Sequence, residues 1–209
     1  MLSWYRSFCS LSAIHSSALV SLASITMAPS FKSPGKTVNS PSKLAHVVLR
    51  TNNYAAMIDF YKTFLGAHSS YETDILCFLA YDEEHHRIGI ISMPPLSNKI
   101  PSSSGLEHIA FTFNSISDLA LTYLQRKENG IVPFWQVNHG PTMSVYYKDP
   151  DGNILETFTD CFEKVEDMQA WMESQEYHTN PIGVYVHSLY PHMLCYCGHL
   201  LTNVIAIST

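Results

Sequence analysis

KLAHVVLRTNNYAAMIDFY, residues 43–61, and GLEHIAFTFNSISDLALTY, residues 105–123, are two versions of one sequence pattern, separated by a constant offset of 62 residues. His46 in the first copy aligns with His108 in the second. Each copy opens with a run of apolar, β-branched or aromatic residues, which is typical of a strand. An Asn/Ser turn follows, and then apolar residues recur at the i, i+3, i+4 spacing of an amphipathic helix. The repeat therefore predicts two copies of one structural module.

Ordinary start and stop signals bound the two helices. The first helix is predicted to begin after Asn52 and Asn53 and to end at Gly66, and the second to begin after Ser115 and to end at Gly130. Asn and Ser favour helix N-caps, and Gly favours the left-handed conformation that ends a helix. Three further strands complete each module, at about 67–71, 75–81 and 87–93 in the first and at about 132–137, 142–148 and 153–159 in the second. The sequence therefore predicts an α+β fold in which the order βαβββ occurs twice.

Charged residues divide the chain of 209 residues into three parts. Residues 43–176 hold all 18 acidic residues and 9 of the 12 Lys and Arg, whereas 1–42 hold three cations and 177–209 hold no charge. We therefore predict a flexible N-terminal segment at 1–42, a folded domain at 43–176 and a poorly ordered tail at 177–209. The two modules cover about 43–93 and 105–160, and a short helix is predicted at 167–173.

Composition excludes some partners and compartments. The acidic excess of the folded part disfavours a nucleic acid partner. The five cysteines are an odd number without regular spacing, which favours free thiols in a reducing compartment. Residues 16–25 are too short and too serine-rich to span a membrane. We expect a cytoplasmic protein, with a mitochondrial location as the alternative if residues 1–26, which contain one arginine and no acidic residue, are a transit peptide.

A short motif near the end of the second module adds a feature beyond the repeated order of helices and strands. DPDGN, residues 149–153, predicts a tight hairpin turn, and Glu156 lies on the strand that follows. Two βαβββ modules, a histidine early in the first strand of each, and this DPDGN turn with its glutamate together resemble the vicinal oxygen chelate superfamily. The resemblance covers about residues 43–160. It implies that the two modules form a cupped mixed sheet around a metal site.

The resemblance also implies a set of metal ligands. His46, His108 and Glu156 match the ligand positions of the family. Two histidines and one carboxylate leave coordination positions open and suit iron(II), with Mn²⁺ or another divalent metal as the alternative. The other interpretation is that both histidines are core residues bonded to the backbone and that Glu156 is a charge at a strand edge.

Differences between this sequence and other branches of the superfamily favour one function over the others. Metal-dependent glyoxalase I has a fourth ligand, a glutamate, on the last strand of the first module, but the strand from Arg87 to Met93 contains no carboxylate. The cations and potassium site of fosfomycin-resistance transferases also have no evident match. A site with three protein ligands, as in the type I extradiol ring-cleavage dioxygenases, therefore fits better. A glyoxalase-type lyase or isomerase using another divalent metal, and a non-catalytic binding module of the bleomycin-resistance type, remain as alternatives.

Three further residues match catalytic positions of the extradiol enzymes. His86, in a His-His pair before the fourth strand, would hold or deliver a proton beside the bound oxygen. Tyr146, ten residues before Glu156, would hydrogen-bond a substrate oxygen, and His139 would help to orient it. The alternatives are an exposed turn histidine for His86, sheet packing for Tyr146 and a loop histidine for His139, which lies about two residues from a strict register match.

The predicted function is ring cleavage of a catechol or related aromatic vicinal diol with dioxygen, by a non-haem iron(II) enzyme. Its expected partners are the small aromatic diol and dioxygen, without nucleic acid or membrane, and we expect a homodimer. Phe134, Trp135, Tyr71 and Met143 could form walls for a planar ring, although each is more often an ordinary core residue.

Overall fold

The computed structural model describes residues 35–186. The chain divides into two units, Met1–Ser42 and Lys43–Thr209. Of the first unit the structure describes 35–42, which contain no helix or strand, and the proposed transit peptide lies outside the described residues. All helices and strands reported below belong to the second unit. Within residues 35–186, no helix combines the length and the apolar character needed to cross a membrane.

The first module contains one helix and four strands. They are β1 (Val47–Thr51), α1 (Tyr54–Leu65), β2 (His68–Glu72), β3 (Leu76–Ala80) and β4 (Ile88–Ser92). The strands form a mixed sheet in the order β1-β4-β3-β2, in which β1 is parallel to β4 and the other pairs are antiparallel. Helix α1 ends as predicted at Gly66, whose φ of 62° is the left-handed conformation that glycine adopts without strain.

The second module repeats this order and adds a strand. It consists of β5 (His108–Thr112), α2 (Ile116–Glu128), β6 (Trp135–Asn138), β7 (Thr142–Lys148) and β8 (Ile154–Asp160). Its sheet has the order β5-β8-β7-β6-β9. The side chain of Ser115 caps α2 by accepting a hydrogen bond from the backbone N–H of Asp118 at 3.1 Å. The predicted α+β fold with two βαβββ modules is therefore confirmed, with each module forming its own mixed sheet.

The chain continues as an ordered structure past the second module. Helix α3 (Val165–Met172) covers most of the predicted C-terminal helix, and α4 (Gln175–Thr179) and β9 (Val184–Tyr185) follow. Strand β9 pairs antiparallel with β6, through Val137 with Tyr185 and Asn138 with Val184. Regular structure thus extends beyond residue 176, where the sequence places the end of the domain, because β6 offers an edge to which the chain can add two residues. Residues 187–209 of the predicted tail lie outside the described residues.

Side chains from both modules form one apolar core. Its members include Leu49, Met57, Phe64, Leu79 and Ile90 from the first module and Leu119, Met143, Val145, Tyr147 and Leu155 from the second. Polar contacts also join the modules. The hydroxyl of Tyr61 on α1 donates to Asp149 Oδ2 at 3.0 Å, and Nε of Arg126 on α2 donates to the carbonyl of Phe64 at 2.9 Å.

The turn before β8 is fixed by these contacts. Asp149 is buried, and its Oδ1 accepts hydrogen bonds from the backbone N–H groups of Asp151 and Asn153 at 3.0 and 2.8 Å. Gly152 adopts a φ of 81°, as the predicted hairpin turn requires. At the start of α1, the side chain of Asn53 donates to Asp151 Oδ1 at 2.6 Å rather than capping its own helix. The first module therefore holds the turn that sets the position of β8.

Candidate active site

His108 and Glu156 lie side by side on the second sheet. Strands β5 and β8 are parallel, with Ala110 opposite Glu156, so His108 lies two residues before the partner of Glu156 on the same face. Nε2 of His108 is 3.1 Å from Oε2 of Glu156. The carboxylate is largely buried, at 8% exposure, whereas the histidine is half-buried.

Tyr146 and His139 extend this pair into a chain of hydrogen bonds. Tyr146 on β7 lies opposite Glu156 in the antiparallel ladder, and its hydroxyl donates to Oε1 of Glu156 at 2.9 Å. Nε2 of His139 lies 3.0 Å from the same hydroxyl oxygen. Because the single hydroxyl proton goes to the carboxylate, the tyrosine oxygen is the acceptor toward His139. Burial, followed by the contact with Glu156, raises the pKa of Tyr146 well above its ordinary value, so the phenol keeps its proton.

A second cluster forms where the first sheet begins. His46, which directly precedes β1, lies beside the His85-His86 pair that precedes β4, because β1 and β4 are parallel with Val47 opposite Ile88. The ring centroids of His46 and His86 are 4.2 Å apart. We call His46, His85 and His86 the histidine cluster; each offers a nitrogen, and these atoms lie within 4.8 Å of one another. His46 and His85 are exposed, whereas His86 is buried.

The surroundings of His86 favour its neutral form. Its ring stacks on Phe78 with centroids 4.2 Å apart and an angle of 11° between the planes. Burial lowers the pKa of His86, and the neighbouring His46 and His85 lower it further. Nδ1 of His86 is hydrogen-bonded to Nδ1 of His85, and Nε2 has no hydrogen-bond partner among the described residues. The expectation of an exposed turn histidine therefore does not describe His86, which is 6% exposed.

The structure brings together two of the three predicted metal ligands. Two ligands bound at right angles, each about 2.1 Å from a metal, lie about 3 Å apart, and the donor atoms of His108 and Glu156 have this spacing. Within the described residues, no hydrogen bond or ion pair joins His46 to either of them. His46 occupies the equivalent position of the first module and contacts His86 instead. The donor set of two imidazoles and a carboxylate remains the chemistry that iron(II) sites with open positions use.

The position equivalent to Glu156 in the first module is occupied by glycine. Val48 lies opposite Gly89 in the first sheet, as Ala110 lies opposite Glu156 in the second, and Val48 and Ala110 are related by the offset of 62 residues. A Cβ atom at Gly89 would lie 3.2 Å from Cγ2 of Val48. The first sheet thus offers no carboxylate at this point, as the sequence predicts.

In each module an aromatic ring stacks on one of the predicted catalytic residues. Trp135 stacks on Tyr146 with centroids 4.8 Å apart, in the way that Phe78 stacks on His86. Of the other predicted wall residues, Phe134 and Tyr71 are about half exposed. Met143 is fully buried in the core, which is the alternative given for it above, and not a pocket wall. Its side chain and that of Tyr146 lie on opposite faces of β7.

Sequence reasoning missed two contributors to these groups. Phe78 lies on β3, and its apolar neighbours made it indistinguishable from a core residue. The backbone carbonyl of Ile182, which lies 2.6 Å from Nδ1 of His139, has no signal in the sequence, because every residue carries a carbonyl group.

Comparison with known proteins identifies the family. The model of the "Glyoxalase/Bleomycin resistance protein/Dioxygenase superfamily" matches residues 43–157, from the start of the first module into the last strand of the second. This chain belongs to that superfamily. The predicted family, which we described as the vicinal oxygen chelate superfamily, is therefore confirmed.

Two curated members of the superfamily are close relatives of this chain. "Biphenyl-2,3-diol 1,2-dioxygenase 2" of Rhodococcus globerulus is 44% identical over 143 residues, and "Biphenyl-2,3-diol 1,2-dioxygenase 3" of the same organism is 46% identical over 143 residues. Each match covers 68% of this chain and 75% of the relative. Both relatives bear the name of a dioxygenase, in agreement with the predicted reaction class.

Solved structures of the superfamily resemble the chain at lower identity. A glyoxylase/bleomycin resistance protein/dioxygenase domain from Frankia sp. EAN1pec has a TM-score of 0.49 and 17% identity, and the match covers 58% of this chain and 99% of that domain.

Proposed function

We propose that this protein is a non-haem iron(II) extradiol dioxygenase that cleaves the ring of a catechol or related aromatic vicinal diol. The proposal is supported chiefly by the pairing of His108 with Glu156 at ligand spacing beside Tyr146. It is also supported by 44–46% identity to two relatives named as dioxygenases of an aromatic diol. Biphenyl-2,3-diol, the compound in those names, is the first substrate to assay.

His46, His108 and Glu156 would hold the iron. Iron(II), when bound, supplies positions for the two diol oxygens and for dioxygen and allows electrons to pass from the ring to oxygen. Binding there would take the ring of His46 away from its contact with His86 and toward the other two ligands. His46 is exposed, contacts the rings of His85 and His86, and has no hydrogen bond to another of the residues 35–186, so rotation of its side chain requires little energy.

The remaining polar residues would handle protons. Nε2 of His86 has no hydrogen-bond partner within residues 35–186, and the lowered pKa of His86 favours the neutral ring, so it can accept a proton from a diol hydroxyl and return it to an oxygen later in the reaction. The Tyr146 hydroxyl, which keeps its proton, can donate to a substrate oxygen that approaches Glu156 in place of its bond to that carboxylate. His139 would hold that hydroxyl in place through the bond at 3.0 Å.

Oxygen uptake with a panel of diols tests the proposal. The full chain, loaded with iron(II) without air, is mixed with catechol, 3-methylcatechol and biphenyl-2,3-diol, and both oxygen consumption and the yellow ring-fission product are followed. Hydroquinone is the matched control, since its hydroxyls lie on opposite sides of the ring and cannot chelate one metal. We expect uptake of one dioxygen per vicinal diol and none with hydroquinone. Stoichiometric iron without oxygen uptake for any vicinal diol would reject the proposed reaction.

The metal content distinguishes the alternative functions. Protein purified without added metal is expected to retain iron. Stoichiometric nickel, cobalt or zinc would instead favour a lyase or isomerase, and manganese would keep the reaction but change the cofactor. Gly89 in place of a fourth ligand argues against the isomerase branch.

We propose a homodimer as the assembly in solution. Light scattering after size-exclusion chromatography tests this, and a monomer mass at micromolar concentration would contradict it.

A further inference from the structure

The terminal strap, which we define as residues 180–186, contacts the loop that carries His139. Strand β9 within it adds to the edge of β6, and the N–H of Val186 donates to the carbonyl of Gln136 at 3.0 Å. Nδ1 of His139 lies 2.6 Å from the carbonyl of Ile182. A carbonyl oxygen can only accept, so Nδ1 must carry a proton in this bond. Since the hydroxyl of Tyr146 gives its own proton to Glu156, Nε2 must donate as well, and both contacts of His139 are hydrogen bonds only when each ring nitrogen carries a proton.

The strap is locked at Gly183. Its φ is 92°, and a Cβ atom there would lie 2.0 Å from the carbonyl oxygen of Asn138 and 2.7 Å from Cα of His139. Only glycine allows the strap to lie this close to the histidine backbone. The side chain of Asn180 closes the turn, since its Nδ2 donates to the carbonyl of Gly183 at 2.8 Å and its Oδ1 accepts from the N–H of Gly183 at 3.1 Å.

The other side of the histidine loop is also held. Trp171 on α3 packs against Gly140, where a Cβ atom would lie 2.5 Å from the indole Nε1. His139 therefore lies between two elements that follow the second βαβββ module. Its ring points Nε2 at Tyr146 while Nδ1 contacts the strap.

We propose that the terminal strap is a positioning element of the active site. The carbonyl of Ile182 fixes the ring of His139 with a proton on Nδ1, and this directs Nε2 to the hydroxyl of Tyr146. The inference rests on the proposed function for its catalytic consequence, because Tyr146 in turn contacts Glu156. The hydrogen-bond arrangement itself does not depend on that function.

Gly183→Ala in the full chain tests the catalytic consequence. The added Cβ must push the strap away from Asn138, which breaks the bond between Ile182 and His139. We expect kcat per bound iron to fall about tenfold, the effect of losing one well-placed hydrogen bond, with KM changed less than twofold. Gly130→Ala is the matched control. Gly130 also has a positive φ, of 75°, but a Cβ atom there meets nothing within 4 Å, so kcat should be unchanged.

A double-mutant cycle separates positioning from general damage. In a His139→Ala background, Gly183→Ala should change kcat less than twofold, because the residue through which the strap acts is gone. A tenfold loss that persists without His139, or full kcat in Gly183→Ala, would overturn the proposal.

A measurement on the unaltered protein needs no turnover. Long-range ¹H–¹⁵N correlation spectra of the full chain, prepared without iron, report for each ring nitrogen of His139 whether it carries a proton. We expect protons on both nitrogens, and the proton on Nδ1 is the one that the strap requires. An Nδ1 without a proton would overturn the positioning role even if diols are cleaved. A protonated Nδ1 in a protein that cleaves no diol would reject the proposed function and keep the hydrogen-bond arrangement.

Discussion

Removal of the Tyr146 hydroxyl is the most direct test of the site geometry. Tyr146→Phe keeps the ring that stacks on Trp135 and deletes the hydroxyl between Glu156 and His139. A hydrogen bond to a charged group contributes about 1.5–3 kcal/mol. If that contribution is lost entirely from the transition state, kcat falls about 10- to 150-fold. The iron content should stay the same, since none of the three proposed ligands is changed.

Tyr147→Phe is the control for this substitution. Tyr147 is the next residue on β7, so its side chain lies on the opposite face of the strand, where it packs against Phe64 with centroids 5.1 Å apart. Its kcat should remain within twofold of the unaltered protein. The assay is oxygen uptake at saturating diol, divided by bound iron. If Tyr146→Phe keeps more than half of kcat, or if Tyr147→Phe loses as much, the assignment of the hydroxyl to the reaction is wrong.

Other variants test the remaining residues. His86→Phe should keep its iron but lose about 10²- to 10⁴-fold in kcat, the usual effect of removing a general acid or base. His85→Gln is the control and should lose far less, because the side chain of His85 is 67% exposed. Full turnover in His86→Phe would show that His86 has no catalytic role. Glu156→Gln should lower the bound iron measured by metal analysis, because a neutral amide binds a divalent ion more weakly than a carboxylate, and stoichiometric iron would contradict its role as a ligand. Gly89→Glu should abolish oxygen uptake by placing a carboxylate at the metal, whereas Gly89→Ala, which requires Val48 to move by a few tenths of an ångström, should keep measurable activity.

The fold could be predicted because the repeat appears twice in the sequence. Each copy supports the interpretation of the other, and the signals at Gly66 and Ser115 are local. The end of the domain could not be predicted in the same way. Strand β9 has two residues, which is too short for any periodicity, and its stability comes from the edge of β6 rather than from its own composition.

The site was predictable where side-chain type carries the chemistry. His108, Glu156, Tyr146 and His139 lie within one connected group, although the sequence register placed His139 about two residues away from its expected position. The orientation of a histidine ring could not be predicted in this way. It depends on ring contacts such as that of His46 with His86, and on backbone groups such as the carbonyl of Ile182, that no sequence pattern reports. The roles of the three proposed ligands remain predictions for metal analysis.

The equivalence of Gly89 and Glu156 has an evolutionary consequence. If an ancestral gene was duplicated and fused, the two modules began with the same side chains. A functional side chain could then be lost from one module only while the other module kept its counterpart. One half now carries a carboxylate with its tyrosine, and the other carries a glycine with a pair of histidines. The two backbones still have the same strand order, whereas the polar side chains of the two modules now differ in kind and in proposed role.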